Sequence, residues 1–265
     1  MSIVDAIIVA IVEGLTEFLP ISSTAHMEFT NPLIGVNGQD PFVQMFEVVI
    51  QLAAILSVVV LYWKKFVDFR HYTFYIKLII GVIPALIVGA LLKKYIDQAL
   101  GNLIFIACIM IAGGIILLFI DNLFKSSVID EEKKISYPKA FIIGCFQVLS
   151  IVFPGLSRSA ATIIGGMSQK LTRRLAAEFS FFLAVPTMFA ASAKSFWDVY
   201  KDHHEVLVKE NFTVLGVGAL VAFIVALLSV RFFISYLKNH SFKLFGYYRI
   251  IVGGVLLALI FSDKL

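Results

Sequence analysis

The sequence is organised around one polar break in an apolar region, Phe153-Pro154-Gly155-Leu156-Ser157-Arg158-Ser159-Ala160-Ala161-Thr162. Pro154 and Gly155 predict the end of one helix, and a second can begin near Ser157 with the free N–H groups of its first turn. An arginine at membrane depth costs about 2.5–3.5 kcal/mol on insertion scales, so Arg158 indicates a function. A helix N-terminus, a guanidinium and hydroxyl groups together predict a phosphate-binding site. A surface loop between two spans is the competing interpretation.

The composition is that of a polytopic membrane protein. Of the 265 residues, 60% are hydrophobic and 15% are charged, and the mean hydropathy is +0.93. Soluble domains average about a quarter charged residues, so this chain falls outside their range. Its net charge of +4 is not arranged as a basic stripe interleaved with aromatic residues. We therefore expect the membrane as a partner and no nucleic acid.

The apolar runs predict an all-α integral membrane protein with six transmembrane helices and two re-entrant helical hairpins. Six runs approach span length: 43–62, 75–92, 103–121, 175–193, 213–235 and 245–262. Two shorter apolar helices, 3–19 and 140–153, are each followed by a polar break and a further short helix. Such a hairpin can turn back at membrane depth where it lines a cavity inside the protein. Eight ordinary spans are the competing topology.

The second half of the chain repeats the plan of the first. A shift of 134 residues pairs positions around the two breaks, namely Glu13 with Gln147, Pro20 with Pro154, Ser23 with Ser157 and Thr24 with Arg158. We expect one membrane domain, 1–265, built of repeats 1–121 and 140–262 that a charged cytoplasmic linker, 122–139, joins. Because each repeat holds three full spans, an odd number, the repeats should have inverted topology.

The distribution of basic residues predicts the orientation. Of the 22 lysines and arginines, fourteen fall on the side that holds the loops 63–77, 122–139, 168–174 and 231–244. Six fall on the opposite side, and Arg158 and Arg249 make up the rest. The positive-inside rule makes the first side cytoplasmic. Both termini and the first hairpin then face outward, and the second hairpin enters from the cytoplasm so that the two tips can meet.

Glu13 and Glu17 lie four residues apart, so both carboxylates project from one face of the first helix. Two ionised carboxylates in an apolar helix repel each other. A proton on one of them, a basic partner such as Arg158, or a divalent cation would relieve the repulsion. Mg²⁺ and Ca²⁺ prefer oxygen ligands, and a phosphate can complete their coordination. An exposed amphipathic face is the alternative.

A second polar cluster, Ser22-Ser23-Thr24-Ala25-His26, follows the first break. If a helix begins near Ser22, then Ser23 and His26 are neighbours on its first turn. This spacing allows a serine nucleophile beside a base, which we favour, or a histidine that is itself phosphorylated. Direct attack by water is the third possibility that the sequence leaves open. A capping serine with an unrelated histidine is the structural alternative.

Together these residues resemble the undecaprenyl-diphosphatase family, the bacitracin-resistance phosphatases of bacterial membranes. The first family motif, Glu/Gln-x-x-x-Glu, matches Glu13-Gly14-Leu15-Thr16-Glu17, and the serine and histidine after it match Ser23 and His26. The second motif, Pro-Gly-x-Ser-Arg-Ser-x-x-Thr, is present from Pro154 to Thr162 without departure. The similarity covers nearly the whole chain.

The resemblance implies hydrolysis of undecaprenyl diphosphate to the monophosphate, which recycles the lipid carrier for cell-wall synthesis. It also implies a divalent cation, Mg²⁺ or Ca²⁺, and a bacterial inner membrane with the active site open to the outer, periplasmic face. The expected catalytic residues are Ser23, His26, Glu17 and Arg158. Glu13 and Glu17 are the expected metal ligands. The expected substrate-binding residues are Ser22, Thr24, Gly155, Ser157, Arg158, Ser159 and Thr162.

The competing function is a secondary transporter or flippase for a lipid phosphate, because inverted repeats with broken helices are common among transporters. The nucleophile-like Ser23 and His26 favour the enzyme, since a transporter does not need them. A polyprenyl diphosphate is the expected partner, and a homodimer is left open. Packing and supporting roles are equally open for four polar residues in apolar runs, which are Gln51, Gln147, Glu178 and Arg249.

Overall fold

A computed structural model of the protein describes residues 1–262 apart from 69, 71, 126, 203–205 and 207, and the side chains of these residues except 93, 94 and 97. Its regular structure is helical, with a short 3₁₀ helix at Glu132–Lys134 and an isolated bridge between Ile129 and Leu171. The α-helices are α1 (Ile3–Thr16), α2 (Ser23–Leu33), α3 (Pro41–Leu61), α4 (Trp63–Val67), α5 (Tyr72–Leu91), α6 (Lys93–Leu100), α7 (Leu103–Leu123), α8 (Tyr137–Val152), α9 (Arg158–Ser168), α10 (Arg173–Asp202), α11 (Lys209–Leu237) and α12 (Lys243–Phe261).

Six helices in the described part of the chain are long and apolar enough to cross a membrane, namely α3, α5, α7, α10, α11 and α12. They confirm the predicted all-α fold with six transmembrane helices, and the protein is a multi-pass membrane protein. The largest difference from the predicted runs is in α10, which continues past 193 to Asp202. Lys194 and Asp198 pair there across one helical turn at 2.7 Å, which supports the added turns.

The two pairs of shorter helices form helical hairpins, α1 with α2 and α8 with α9. The first turn covers residues 17–22, and the second covers 153–157. Gly155 has a φ of +94°, and an added Cβ would lie 2.6 Å from the Ile106 carbonyl oxygen, so glycine alone fits this turn. The breaks at Pro20 and Pro154 therefore lie where the sequence predicts them. Re-entry into the membrane stays a prediction.

Helices of the two halves of the chain pack against each other in a matching pattern. The first helix of each half packs on the second span of the other half, α1 on α11 and α8 on α5. The first spans, α3 and α10, contact each other, and so do the third spans, α7 and α12. This pattern is compatible with the predicted repeat, while its inversion in a membrane and the repeat boundaries stay predictions.

The linker between the halves packs against a span. Lys77, which we counted among the loop residues, lies within α5, and its side chain is buried. Its ammonium group donates to Glu132 Oε1 at 2.8 Å and to the Glu132 carbonyl oxygen at 2.9 Å. A buried lysine needs such partners, so this ion pair fixes the linker to the end of α5.

Aromatic packing holds the first turn in place. Phe18, which directly follows Glu17, is fully buried and meets Phe181 of α10 edge to face, with 5.0 Å between the ring centroids. Phe181 in turn contacts Phe233 of α11. Edge-to-face pairs add to the stabilisation from buried area. The turn that carries Glu17 therefore packs on α10, whose Phe181 in turn packs on α11.

Candidate active site

The turns of the two hairpins meet inside the protein. Arg158, the first residue of α9, donates from Nη2 to Glu17 Oε1 at 2.7 Å across 141 positions of the sequence. Ser159 Oγ donates to the Leu19 carbonyl oxygen of the first turn at 2.9 Å. The two polar clusters of the sequence therefore form one site.

Glu17 is the centre of this hydrogen-bond network. Its Oε2 accepts from Ser23 Oγ at 2.6 Å and from Gln51 Nε2 at 3.5 Å, while Oε1 faces Arg158. The side chain is almost wholly buried. Arg158 uses its second terminal nitrogen, Nη1, to donate to the Ser180 carbonyl oxygen at 3.2 Å. A buried carboxylate with a charged partner and a serine donor is satisfied and held in one orientation.

Both short helices begin at a strained serine. Ser22 caps α2 with a φ of +74° and Ser157 caps α9 with a φ of +75°, in the left-handed region that non-glycine residues rarely adopt. Each hydroxyl accepts from a first-turn N–H, of Ala25 at 3.4 Å and of Ala160 at 3.3 Å. Strain of about 1–3 kcal/mol per residue persists where the surroundings enforce it, as at binding sites. Two such helix N-termini give an environment suited to an anion.

The helix caps show that the two repeats are paired differently at the turns than a constant shift of 134 residues predicts. A shift of 134 residues pairs Ser23 with Ser157, but the structure gives equivalent positions to the caps Ser22 and Ser157. Ser23 and Arg158 are then counterparts, each the first residue of its helix. The physical reason is that helical register restarts at each cap, after turns of different length.

The hydroxyls of α9 are engaged with protein groups. Ser157 Oγ lies 3.0 Å from Ser159 Oγ. Thr162 is fully buried, and its Oγ1 lies 2.8 Å from the Arg158 carbonyl oxygen and 2.6 Å from Ser180 Oγ. Thr162 therefore braces the first turn of α9 against α10. The structure brings Ser157 and Ser159 to the meeting of the turns, while Thr162 lies one helical turn further along.

His26 lies beside the cluster with partners of its own. Its Nδ1 is 2.7 Å from the Ser22 carbonyl oxygen, and its Nε2 is 2.8 Å from Tyr248 Oη, whose ring stacks on it. A carbonyl oxygen only accepts, so Nδ1 carries a proton, and in the neutral ring Nε2 accepts from the tyrosine hydroxyl. Ser23 donates to Glu17 and not to His26. Thr24, next to Ser23, is half-buried on the same turn.

Glu13 is the unusual group of the site. It is fully buried, and in the described structure both of its carboxylate oxygens lack a hydrogen-bond partner. Glu17 is its direct neighbour, and Glu47 and Arg158 also act on its charge. A buried carboxylate without a donor is costly, and a bound cation would compensate it. The Glu13 and Glu17 oxygens therefore fit a hard divalent cation, although no group of three or more His, Cys, Asp or Glu side chains forms a full ligand set among the described residues.

Two residues of the site, Ser180 and Tyr248, were not predicted from the sequence, and the roles of two others, Gln51 and Arg249, were left open. Ser180 lies in an apolar run and Tyr248 lies 222 residues from His26, so no local pattern connects either to the site. Arg249 was marked only as a charge in an apolar run. It lies behind both turns and donates to the carbonyl oxygens of Pro20, Gly155 and Leu156. Gly155 thus contributes a backbone oxygen to Arg249 as well as the turn itself.

Comparison with known proteins places these residues in a family. The family described as bacitracin resistance protein BacA matches residues 6–255. Undecaprenyl-diphosphatase of Porphyromonas gingivalis strain W83 is 49% identical over 278 residues, which cover 99% of this chain and 98% of the relative. The protein of the same name from Flavobacterium psychrophilum is 50% identical, with 98% and 97% covered. That from Aquifex aeolicus is 44% identical, with 94% and 95% covered.

Proposed function

This chain belongs to the BacA family of bacitracin resistance proteins, and from that premise we propose that it is an undecaprenyl-diphosphatase of the bacterial inner membrane. It hydrolyses undecaprenyl diphosphate to undecaprenyl phosphate and phosphate, and so recycles the lipid carrier of cell-wall synthesis. The observation that carries the assignment of the site is the sequence of contacts from Arg158 through Glu17 to Ser23, at 2.7 and 2.6 Å.

The diphosphate binds where the two turns meet. The terminal phosphate lies at the N-termini of α2 and α9, whose first-turn N–H groups and caps Ser22 and Ser157 supply partial positive charge and donors. The Arg158 guanidinium neutralises the oxygens of the transferring phosphoryl group, which carry most of the charge in the transition state. The apolar tail of the lipid lies between spans, where it replaces membrane lipid.

Ser23 is the nucleophile in the favoured mechanism. Its hydroxyl loses a proton to Glu17 Oε2 and attacks the terminal phosphorus. A bond forms between Ser23 Oγ and phosphorus, and the bond from phosphorus to the bridging oxygen breaks, so undecaprenyl phosphate leaves with the bonding electrons. A water molecule then attacks the phosphoserine, inorganic phosphate departs and Ser23 regains its proton. The 2.6 Å contact supports Glu17 as the base.

His26 and water are the alternatives. The contact of His26 Nε2 with Tyr248 weakens the case for attack by the imidazole, because the lone pair that would attack accepts the tyrosine hydroxyl. His26 then acts by orientation, with its Nδ1 proton on the carbonyl of the Ser22 cap. Direct attack by water activated by Glu17 is also compatible with the contacts. A covalent intermediate separates these mechanisms.

Glu13 and Glu17 would hold a divalent cation, Mg²⁺ or Ca²⁺. When bound, such an ion polarises phosphoryl oxygens and offsets the negative charge of the diphosphate. The two unpartnered oxygens of Glu13 support this proposal. Phosphate oxygens of the substrate would complete the coordination, since the carboxylates alone leave most positions of a hard cation open.

The active site opens to the outer, periplasmic side in our proposal, and both termini lie on that side. The support is the excess of lysine and arginine in the opposite loops. A second copy of the chain in a homodimer stays a prediction.

The transporter alternative has weaker support. Transport of a lipid phosphate coupled to an ion would use the carboxylates and Arg158, but it does not need a serine hydroxyl held 2.6 Å from a buried carboxylate. Transport of the lipid phosphate across liposomes without phosphate release would favour this alternative.

The test is phosphate release from undecaprenyl diphosphate by the purified protein in detergent. The unaltered chain should turn over, and Glu17→Gln should lose about 10²–10⁴-fold of the rate because its amide cannot take the Ser23 proton. Lys194→Met is the control, since it breaks an ion pair on an exposed part of α10. The proposal fails if the unaltered protein releases no phosphate or if the Glu17 variant matches the control.

A further inference from the structure

Arg249 is an arginine enclosed by backbone carbonyl groups. Its side chain on α12 is fully buried and donates five hydrogen bonds, all to carbonyl oxygens. No carboxylate lies within ion-pair distance of it among the described residues. A guanidinium has five N–H donors in a rigid plane. Here all three of its nitrogens are bonded to fixed backbone.

These carbonyls belong to three separate segments. Nη1 donates to Pro20 of the first turn at 3.1 Å and to Leu156 of the second turn at 2.8 Å. Nη2 donates to Gly155 at 2.9 Å. Two further bonds, from Nε to Met110 at 3.0 Å and from Nη2 to Ile109 at 3.4 Å, reach α7. One side chain therefore joins both turns of the site to one transmembrane helix.

The attachment points have matching positions in the two hairpins. Pro20 lies two residues before the strained cap Ser22, and Gly155 lies two residues before the strained cap Ser157. A planar guanidinium that bonds both carbonyls fixes the distance between the two caps. The N-termini of α2 and α9 therefore have their separation set from behind the site.

Glycines of α7 make room for this side chain. A Cβ on Gly113 would overlap Arg249 Nη2, and a Cβ on Gly114 would lie 2.8 Å from the Gly246 carbonyl oxygen and 2.9 Å from Arg249 Cβ. Helix α12 can thus approach α7 closely enough for the Arg249 guanidinium to extend past α7 and reach the two turns. The Gly113-Gly114 pair serves the placement of Arg249 as well as helix contact.

The other links between the turns involve groups that the substrate would engage. Arg158 pairs with Glu17, and Ser159 donates to Leu19, at the face where the diphosphate binds in the proposed function. When Arg158 turns to a phosphate, its bond to Glu17 weakens, because both compete for the same N–H donors. In the described structure the hydrogen bonds of Arg249 all go to backbone carbonyl oxygens and none to Glu17 or Ser23, so they need not break when the substrate binds.

We propose that Arg249 is a positioning residue for the hydrolysis: it holds the turn that carries Glu17 and Ser23 at a fixed distance from the turn that carries Arg158 while the phosphate is bound. This inference rests on the proposed function. The nucleophile and the phosphate-binding arginine come from different hairpins, so their alignment depends on the separation of the turns. Arg249 acts through the backbone and does not touch the substrate.

The test compares three variants of the full-length protein in detergent. Arg249→Lys keeps the charge but offers one nitrogen instead of a fork. Gly113→Ala keeps Arg249 and displaces its guanidinium. Gly254→Ala is the matched control on α12, since an added Cβ there meets nothing within 4 Å. For each we would measure kcat and KM with undecaprenyl diphosphate, the melting temperature, and the fraction of folded protein.

Arg249→Lys and Gly113→Ala should each lower kcat by about 10²-fold, as expected for a displacement of about 1 Å, with KM nearly unchanged. Gly254→Ala should match the unaltered protein. A rise in KM with kcat unchanged would overturn the inference. It would mean that Arg249 contributes equally to binding of the substrate and of the transition state, and so does not align the reacting groups. A normal kcat per folded molecule would also overturn it, since it would mean that Arg249 only stabilises the fold. If Arg249→Lys does not fold, Gly113→Ala decides alone.

The outcome is separable from the proposed function. If the unaltered protein does not hydrolyse undecaprenyl diphosphate, the proposed function fails before any variant is compared. If it does hydrolyse the lipid and both variants keep their kcat, the positioning role of Arg249 fails and the proposed function stands.

Discussion

Replacing Glu13 by glutamine should make the cation-free protein more stable and less responsive to divalent cations. Both Glu13 oxygens are buried without a donor, and the neighbouring group is another carboxyl group, that of Glu17. Glutamine has nearly the same shape, cannot ionise and adds N–H donors that can face Glu17. The change should relieve the electrostatic penalty that a cation otherwise relieves.

The size of the effect follows from the burial. An unsatisfied buried polar group costs about 1–3 kcal/mol, and Glu13 is completely buried. A gain of that size raises Tm by about 2–4 °C per kcal/mol for a chain of this length. In the unaltered protein, a cation at 100 times its Kd should add about 2.7 kcal/mol. That increment should shrink in Glu13→Gln, which keeps only one of the two carboxylates.

The assay is thermal unfolding in detergent with EDTA, followed by titration with Mg²⁺ and with Ca²⁺ at constant ionic strength. The reciprocal variant Gln147→Glu is the matched control, because the repeat pairs Gln147 with Glu13. Gln147 is buried, and its Nε2 donates to Thr187 Oγ1 at 3.2 Å. A glutamate there loses this bond and adds a buried charge, so Tm should fall.

Two results would refute this reasoning. The first is a lower Tm of Glu13→Gln in EDTA, which would mean that the Glu13 carboxylate stabilises the fold by itself. The second is an unchanged cation-dependent rise in Tm, which would place the cation elsewhere. Turnover of Glu13→Gln should also need more Mg²⁺ for its half-maximal rate, which steady-state kinetics can check.

Three other predictions concern turnover, the intermediate and topology. Arg158→Lys should lower kcat about 10²–10³-fold, because a planar guanidinium can bind two phosphate oxygens at once and an ammonium is a point charge. Near-normal turnover would mean that Arg158 is a structural charge only. Rapid acid quench with radiolabelled undecaprenyl diphosphate should trap acid-stable label that Ser23→Ala abolishes. Alkali-stable, acid-labile label that an alkaline quench traps and His26→Ala abolishes would instead assign the histidine, and no label under either quench would favour water. In a cysteine-free background, an impermeant reagent added outside should reach a cysteine at 209 and miss one at 125, and the reverse pattern would contradict the predicted orientation.

Hydropathy and the two polar breaks were enough to predict the six long helices and the two hairpins, but not the short α4 and α6. A span needs about 20 apolar residues, so the six transmembrane helices follow from composition along the chain. The turns before α2 and α9 follow from proline and glycine, which act within a few residues. Helix boundaries moved by a few residues, and most at the end of α10, where Lys194 and Asp198 pair across the added turns.

The polar groups that meet at the two turns could also be identified from local sequence. A polar site is indicated at three places, because charged groups in apolar helices require a partner. These places are Glu13 with Glu17, Ser23 with His26, and the stretch from Gly155 to Thr162. The sequence could not say which partner each would have. It placed Ser23 beside His26 by helical spacing, whereas the folded chain gives its hydroxyl to Glu17.

Tertiary structure alone decided how the two halves meet. The ion pair of Glu17 with Arg158, the contact of His26 with Tyr248 and the bonds of Arg249 to both turns each join residues at least 93 positions apart. Helical periodicity carries information over only a few turns, so it cannot assign such partners. The sequence by itself determined which groups are polar and which segments are helices, and packing of the halves determined the distances between the groups that act together.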